Sequence, residues 1–230
     1  MNDNLVEMSA AAAQSLSQTA YQYLLAKLRQ SAWSHTEKIA EAAIAAQLGV
    51  SRVPIRQALL QLVSEGYLVS TARGYMIPKL SAEDIAHVFE LRLLLEPRAA
   101  ALAAQAIAQA QIAQLDQAIA EAEAGHAQDD LPRVFAASLK FRETWLSAVG
   151  NTRLAATITR YADQVLLVRH ATLRDMPRRR NVIAGFEELR NAFARHDVLK
   201  AQDAMLRFVL AAERDFMELS EPPAQRSDPL

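Results

Sequence analysis

Two arginines, Arg52 and Arg56, stand four residues apart within residues 48–60, which read LGVSRVPIRQALL. On a helix that spacing places both guanidinium groups on one face. Guanidinium pairs with phosphate oxygens and with the acceptor edge of guanine, so the chemistry open to this pair is anion and base recognition rather than bond cleavage. An isolated pair of this kind is an ordinary solvated helix face, and the neighbouring residues must argue for more. They do. Gly49 suits the left-handed turn that ends one helix, and Ser51 is placed to cap the next by accepting a bond from a backbone N–H one turn on. Pro54 falls in the first turn, where its missing N–H would have had no partner anyway. Ile55, Leu59, Leu62 and Val63 form the opposite, apolar stripe. The arginines therefore stand at the exposed start of a helix with a buried back, which is how a recognition helix meets the major groove.

The elements that would position this helix are legible on both sides. Leu24, Leu25 and Leu28 recur at helical spacing, and residues 37–48 (EKIAEAAIAAQL) predict a short second helix with Ile39, Ile44 and Leu48 inward. Gly66 closes the third helix. Residues 67–69 and 75–77 are β-prone runs joined by a turn containing Arg73 and Gly74, the pattern of a two-stranded wing. A winged helix-turn-helix is expected over residues 16–78.

Composition allows such a domain and a larger one behind it. The chain has 230 residues and is 51% hydrophobic, enough for two modest cores. Its net charge of -1 means that nucleic-acid affinity must come from a local patch, supplied by Arg52, Arg56, Arg73 and Lys79. Cysteine is absent, which excludes a disulfide scaffold, cysteine catalysis and a thiolate zinc site. Neither a leader pattern nor an apolar run of spanning length is present, so a cytoplasmic protein without membrane contact is expected.

Ser81 and Asp84 form a capping pair, and residues 81–219 then read as helix almost throughout, with Gly125, Gly150 and Gly185 as breaks. Pro97 is expected to kink the first long helix, and Pro132 and Pro177 fall near later helix starts. The fold class is mainly α: the winged helix, then an all-helical bundle of about six or seven helices over residues 79–220. Residues 1–15 and 221–230 are expected to lack fixed order.

With these elements in place, LGVSRVPIRQALLQLVSEGYL followed by RGYMI resembles the DNA-binding domain of the GntR family of bacterial transcription regulators, over roughly residues 21–78. The resemblance implies base and phosphate contacts at Ser51, Arg52, Val53 and Arg56, with Gly74 at the wing tip beside Arg73. Two departures stand out: His35-Thr36 replaces the usual Pro-Gly, and Ala42 replaces an arginine often used on the second helix. Arg52 and Arg56 are thus expected to carry more of the contact.

The runs LSAEDIAHVFELRLLLEPRAAALAA and FRETWLSAVGN, with the pattern around His196-Asp197, Ala201 and Met205, resemble the FadR-type effector domain called FCD. That resemblance implies a ligand-binding helical bundle, usually holding a divalent metal through an Asp-x3-His pair and two further histidines. Those positions are Ser138, Arg142, Phe186 and Phe208 in this chain. None supplies the carboxylate or imidazole such metals require, so a site with neither metal nor cofactor is expected. Arg142 could instead bind a ligand carboxylate as a charge-assisted fork, with Phe186 and Phe208 as an apolar wall. Equally, Arg142 could form an internal salt bridge while the phenylalanines fill the space. Arg92, in the ELR run, and Arg169 and His170, in a helix expected over residues 152–172, are further ligand candidates; Ser138 shares the Arg142 face.

The expectation is a ligand-responsive transcription regulator, a repressor of catabolic or transport genes and not an enzyme. It would bind double-stranded DNA at an inverted repeat as a homodimer and answer to a small organic acid. Two other readings compete. His196-Asp197 is the dipeptide of metal-dependent HD phosphohydrolases, but His35, His87, His126 and His170 form no ligand series with it, and Asp197 reads as a helix cap. No phosphate loop, GxSxG or HExxH motif is present. An architectural DNA-binding protein would leave the larger second domain without a purpose.

Overall fold

The computed structural model describes residues 2–29, 33, 37–78, 81–164, 169 and 172–220. The chain divides into two compact units, residues 1–80 and 81–230.

In the first unit, α1 (Asn2–Arg29), α2 (Glu41–Leu48) and α3 (Arg52–Ser64) precede a two-stranded sheet of β1 (Val69–Thr71) and β2 (Gly74–Met76). Leu24, Leu25, Leu28, Ile44, Ile55, Leu59, Leu62 and Leu68 close one core among these elements. Helix α1 begins at Asn2. The alanines at positions 10–13 favour helix by intrinsic propensity.

Helix α2 is shorter than the sequence pattern suggests. Ile39, expected on its inner face, is extended instead and bridges Tyr75, with Ile39 N–H donating to the Tyr75 carbonyl at 2.8 Å and Tyr75 N–H returning a bond at 3.0 Å. A buried β-branched residue gains more from that ladder than from an exposed first helical turn. His35, Thr36 and Lys79 lie outside the described residues.

In the second unit, Ser81 and Asp84 form a reciprocal capping box on α4 (Ala82–Ala106), which continues through Pro97. Then come α5 (Gln109–Ala127), α6 (Leu131–Ser147), α7 (Thr152–Gln164), α8 (Met176–Ala194) and α9 (Val198–Ser220). The starts of α6 and α8 each pair an aspartate cap with a proline in the first turn, Asp130 with Pro132 and Asp175 with Pro177. Ala99, Ala100, Ala101, Ala103 and Ala104 are fully buried on α4, and side chains this small let α9 pack closely along it. Two glycines expected to break helices lie inside them. Gly125 occupies the last turns of α5 against Val134, and Gly185 lies within α8, where an added Cβ would collide with the Phe208 ring. Close helix approach, not a chain break, explains glycine at both positions.

Candidate functional site

The helix-turn-helix is built as the sequence pattern requires, with one exception. Gly49 takes the left-handed conformation, φ 65°, and ends α2. Ser51 has N-cap backbone geometry for α3, yet its hydroxyl makes no capping bond. That hydroxyl stands exposed beside Arg52 and Val53, also exposed, at the first turn of α3. The Arg52 and Arg56 side chains are 62% and 58% exposed, while Ile55, Leu59 and Leu62 on the reverse are fully buried.

A residue not singled out from sequence, Glu41 of α2, holds these arginines. Arg56 donates through Nε to both its carboxylate oxygens, at 2.8 and 3.0 Å, and Arg52 approaches within 3.8 Å. The arginines cover Glu41, leaving it 11% exposed. Its neighbour Ala42 offers no charge, so among the described residues the cationic surface at this turn comes from α3.

In the wing, Thr71 pairs with Gly74 and the turn consists of Ala72 and Arg73, with the Thr71 hydroxyl donating to the Gly74 carbonyl at 2.8 Å. Arg73 is exposed at the turn. Gly74 faces inward to the Ile39 backbone at φ 124°, and a Cβ there would lie 2.7 Å from the Ile39 carbonyl oxygen. Its glycine identity is thus a requirement of wing packing.

The second unit contains a cavity of about 60 Å³ between α4, α6, α8, α9 and the stretch before α8. The ligand candidates Arg92, Ser138, Arg142, Arg169, Phe186 and Phe208 all line it. His170 lies outside the described residues, as does much of the helix expected through residue 172, since α7 is described to Gln164. Phe141, Trp145, Leu173, Leu189 and Met205 complete most of the apolar wall. The Phe141 and Phe186 rings stack at 4.2 Å between centroids, and Phe208 lies 5.7 Å from Phe186 at a tilt.

Beneath the polar wall is Glu96, with a side chain 1% exposed. Its Oε1 accepts from Arg92 Nε at 2.7 Å and from Arg142 Nη2 at 3.0 Å, and its Oε2 from Arg142 Nη1 at 3.4 Å. Burial alone would raise this carboxyl's pKa, but the adjacent Arg142 and Arg92 guanidiniums more than reverse that and hold it at about 2. Arg142 therefore both pairs internally and lines the cavity, two roles the sequence presented as alternatives. Glu96 itself escaped notice, although its place four residues after Arg92 was a readable i,i+4 signal.

One other buried group shapes the site. Arg179 is nearly inaccessible; its Nε donates to the Leu173 carbonyl at 2.8 Å and its Nη1 to Asp129 at 2.9 Å, fixing a cavity-lining residue. The residues aligned with the implied metal ligands do not fit a cation: two are phenylalanines, one a serine, one a guanidinium. Among the described residues, no three His, Asp or Glu side chains gather as a metal would need. His196 lies in a turn at φ 51° with Nδ1 2.8 Å from the Ala104 carbonyl, and Asp197 caps α9 by accepting from Lys200 N–H at 3.1 Å. Neither is arranged as part of a metal-dependent phosphohydrolase centre. No helix among the described residues is long and apolar enough to cross a membrane.

Comparison with known proteins agrees with both halves. The chain is 44% identical to the Nta operon transcriptional regulator of Aminobacter aminovorans over 80 residues, which span 34% of this chain and 38% of that protein. It is 30% identical over 136 residues to an HTH-type transcriptional regulator from the TAR-I ttuE-ttuC' intergenic region of Agrobacterium vitis, spanning 57% of this chain and 80% of that one. The solved structure of E. coli McbR/YncC shares the fold, with a TM-score of 0.78 at 20% identity over 88% of this chain and 97% of that chain. Residues 16–74 match the bacterial regulatory proteins of the gntR family and residues 87–211 the FCD domain. The FCD match alone takes in more than half of the chain, which thus belongs to the GntR family as a bacterial transcriptional regulator, a DNA-binding winged helix followed by an FCD domain.

Proposed function

We propose that the protein is a ligand-responsive repressor of catabolic or transport genes, working in the cytoplasm, whose effector is a small organic acid. On DNA, Arg52 and Arg56 contact phosphates or base edges from the first turns of α3, Val53 adds an apolar contact, the Ser51 hydroxyl takes a phosphate oxygen, and Arg73 reaches the backbone from the wing. Gly74 acts by holding the wing in register. One short helix reads too few base pairs for useful specificity, so two copies related by a twofold axis would read an inverted repeat with half-sites about one helical turn apart.

The observation that carries the effector reading is convergence. Arg92, Ser138, Arg142, Arg169, Phe186 and Phe208 come from far-separated parts of the chain to one cavity lined by arginine side chains and by stacked rings. That lining suits a molecule with an anionic end and an apolar body. Its occupancy regulates only through unequal affinity for two arrangements of the dimer, which shifts the population able to span the operator.

Enrichment from a random duplex library, followed by anisotropy titration with and without a panel of carboxylic acids, tests this. An inverted repeat whose affinity changes when an acid is added supports the reading; failure to enrich any sequence removes the operator, and acid-independent binding removes the effector.

A further inference from the structure

The absence of a fitting metal-ligand set leaves the question of what would hold an anion in this cavity. We propose that Arg92 and Arg142, oriented by Glu96 between them, form a clamp for one monoanionic carboxylate, with the Nε–H edge of Arg142 as its unpaired prong. This rests on the acid-effector reading above and specifies the charge and shape of the acid.

The geometry of the triad supplies the argument. Glu96 engages Arg142 end-on through Nη1 and Nη2, which leaves the side-on fork along Nε unused. Nε of Arg142 is buried and has no hydrogen-bond partner. A buried N–H left unmet is costly, so a second acceptor at that edge is favoured. Arg92 spends its Nε on Glu96 at 2.7 Å, and its side chain also lines the cavity. The guanidinium of Arg142 lies 6.0 Å from the Trp145 ring centroid and that of Arg92 5.0 Å from Phe89, contacts that fix both planes.

Charge count sets the preference. At the clamp itself, two guanidiniums and one ionised carboxylate leave +1, which one carboxylate neutralises and two carboxylates overshoot; Arg169 lines the same cavity outside this triad. The stacked pair of Phe141 and Phe186 favours a flat body attached to that carboxylate. Glu96 is thus a positioning residue that also tunes the charge of the clamp.

The test uses the full chain and four probes: acetate, benzoate, benzyl alcohol as the neutral counterpart of benzoate, and phthalate as the dianion. Calorimetric titration should give benzoate the tightest binding, with benzyl alcohol at least about tenfold weaker. Glu96→Gln adds one net positive charge at nearly constant shape and should move the benzoate-to-phthalate preference about tenfold toward phthalate. A purely structural Glu96 would weaken both probes and leave their ratio unchanged, which overturns the proposal. Arg142→Lys, which keeps the charge but lacks the fork, should lose about tenfold in benzoate affinity; should Glu96→Gln fail to fold, unchanged benzoate binding by this variant overturns the clamp. If carboxylates bind but neither variant alters affinity or charge preference, the clamp is wrong and the acid effector stands. If no carboxylate in this set or the wider panel binds, the acid-effector reading falls and takes the clamp with it.

Discussion

Arg56 donates through Nε to both carboxylate oxygens of Glu41, at 2.8 and 3.0 Å, so α3 is tied to α2 at the exposed face of its first turns. The pair is poorly placed to stabilise the fold, because the arginine is largely exposed. Its effect falls on orientation and charge. Glu41 steadies the fork of Arg56 and at the same time cancels part of the local positive potential.

Removing that carboxylate should therefore separate affinity from specificity. Glu41→Gln is expected to raise affinity for random duplex DNA several-fold and to steepen the salt dependence by about one unit, while narrowing the gap between operator and random sequence. Anisotropy titrations of both duplexes across a salt series measure this; an unchanged salt slope with an unchanged specificity ratio contradicts it.

Two glycines of the winged helix should respond differently to alanine. Gly74 is at φ 124° and a Cβ would lie 2.7 Å from the Ile39 carbonyl oxygen, whereas Gly49 is at φ 65° with nothing within 4 Å. Gly74→Ala is expected to cost about 2 kcal/mol or more, and Gly49→Ala about 1 kcal/mol. The two tryptophans, Trp33 and Trp145, fall in different units, so Trp33 fluorescence in a Trp145→Phe background reports the first unit alone during urea unfolding. Equal costs at the two positions would refute the packing argument.

Glu96 makes the second unit sensitive to acid. Its pKa drops from 4.5 to about 2 on folding, because Arg142 and Arg92 outweigh the burial that would raise it. At neutral pH both states are ionised and the stabilisation is fully present. As pH falls from about 4.5 toward 2, the unfolded chain takes up the proton first and the stabilisation, on the order of 3 kcal/mol, is lost. Urea unfolding followed by Trp145 fluorescence in a Trp33→Phe background should show this decline. It should be shallower in Glu96→Gln; identical acid limbs would mean that Glu96 is not held ionised by its neighbours.

The sequence pattern reached much of this, for reasons that differ by residue. Gly49, Ser51 and the apolar stripe of Ile55, Leu59 and Leu62 are local signals, and local geometry realises them directly. Ile39 differs from the sequence expectation because the apolar run through Ile44 and Leu48 conceals a ladder to Tyr75, a contact between residues 36 positions apart that no local period encodes. Gly185 was misread as a break for the same reason, since its requirement comes from Phe208 on another helix. In the cavity, comparison with family positions located Ser138, Arg142, Phe186 and Phe208, yet not Glu96 or Arg179. Both are charged residues whose burial depends on partners brought by distant helices, and charge in a sequence reads first as surface.

The claim that this chain regulates transcription through α3 is tested most directly by Arg56→Ala. Its affinity for an operator enriched by the native protein should be measured by anisotropy, with circular dichroism to show the fold intact. Loss of one guanidinium contact in each half-site should weaken operator binding about a hundredfold. Undiminished operator binding by a folded Arg56→Ala protein would contradict the assignment of α3 as the reading helix.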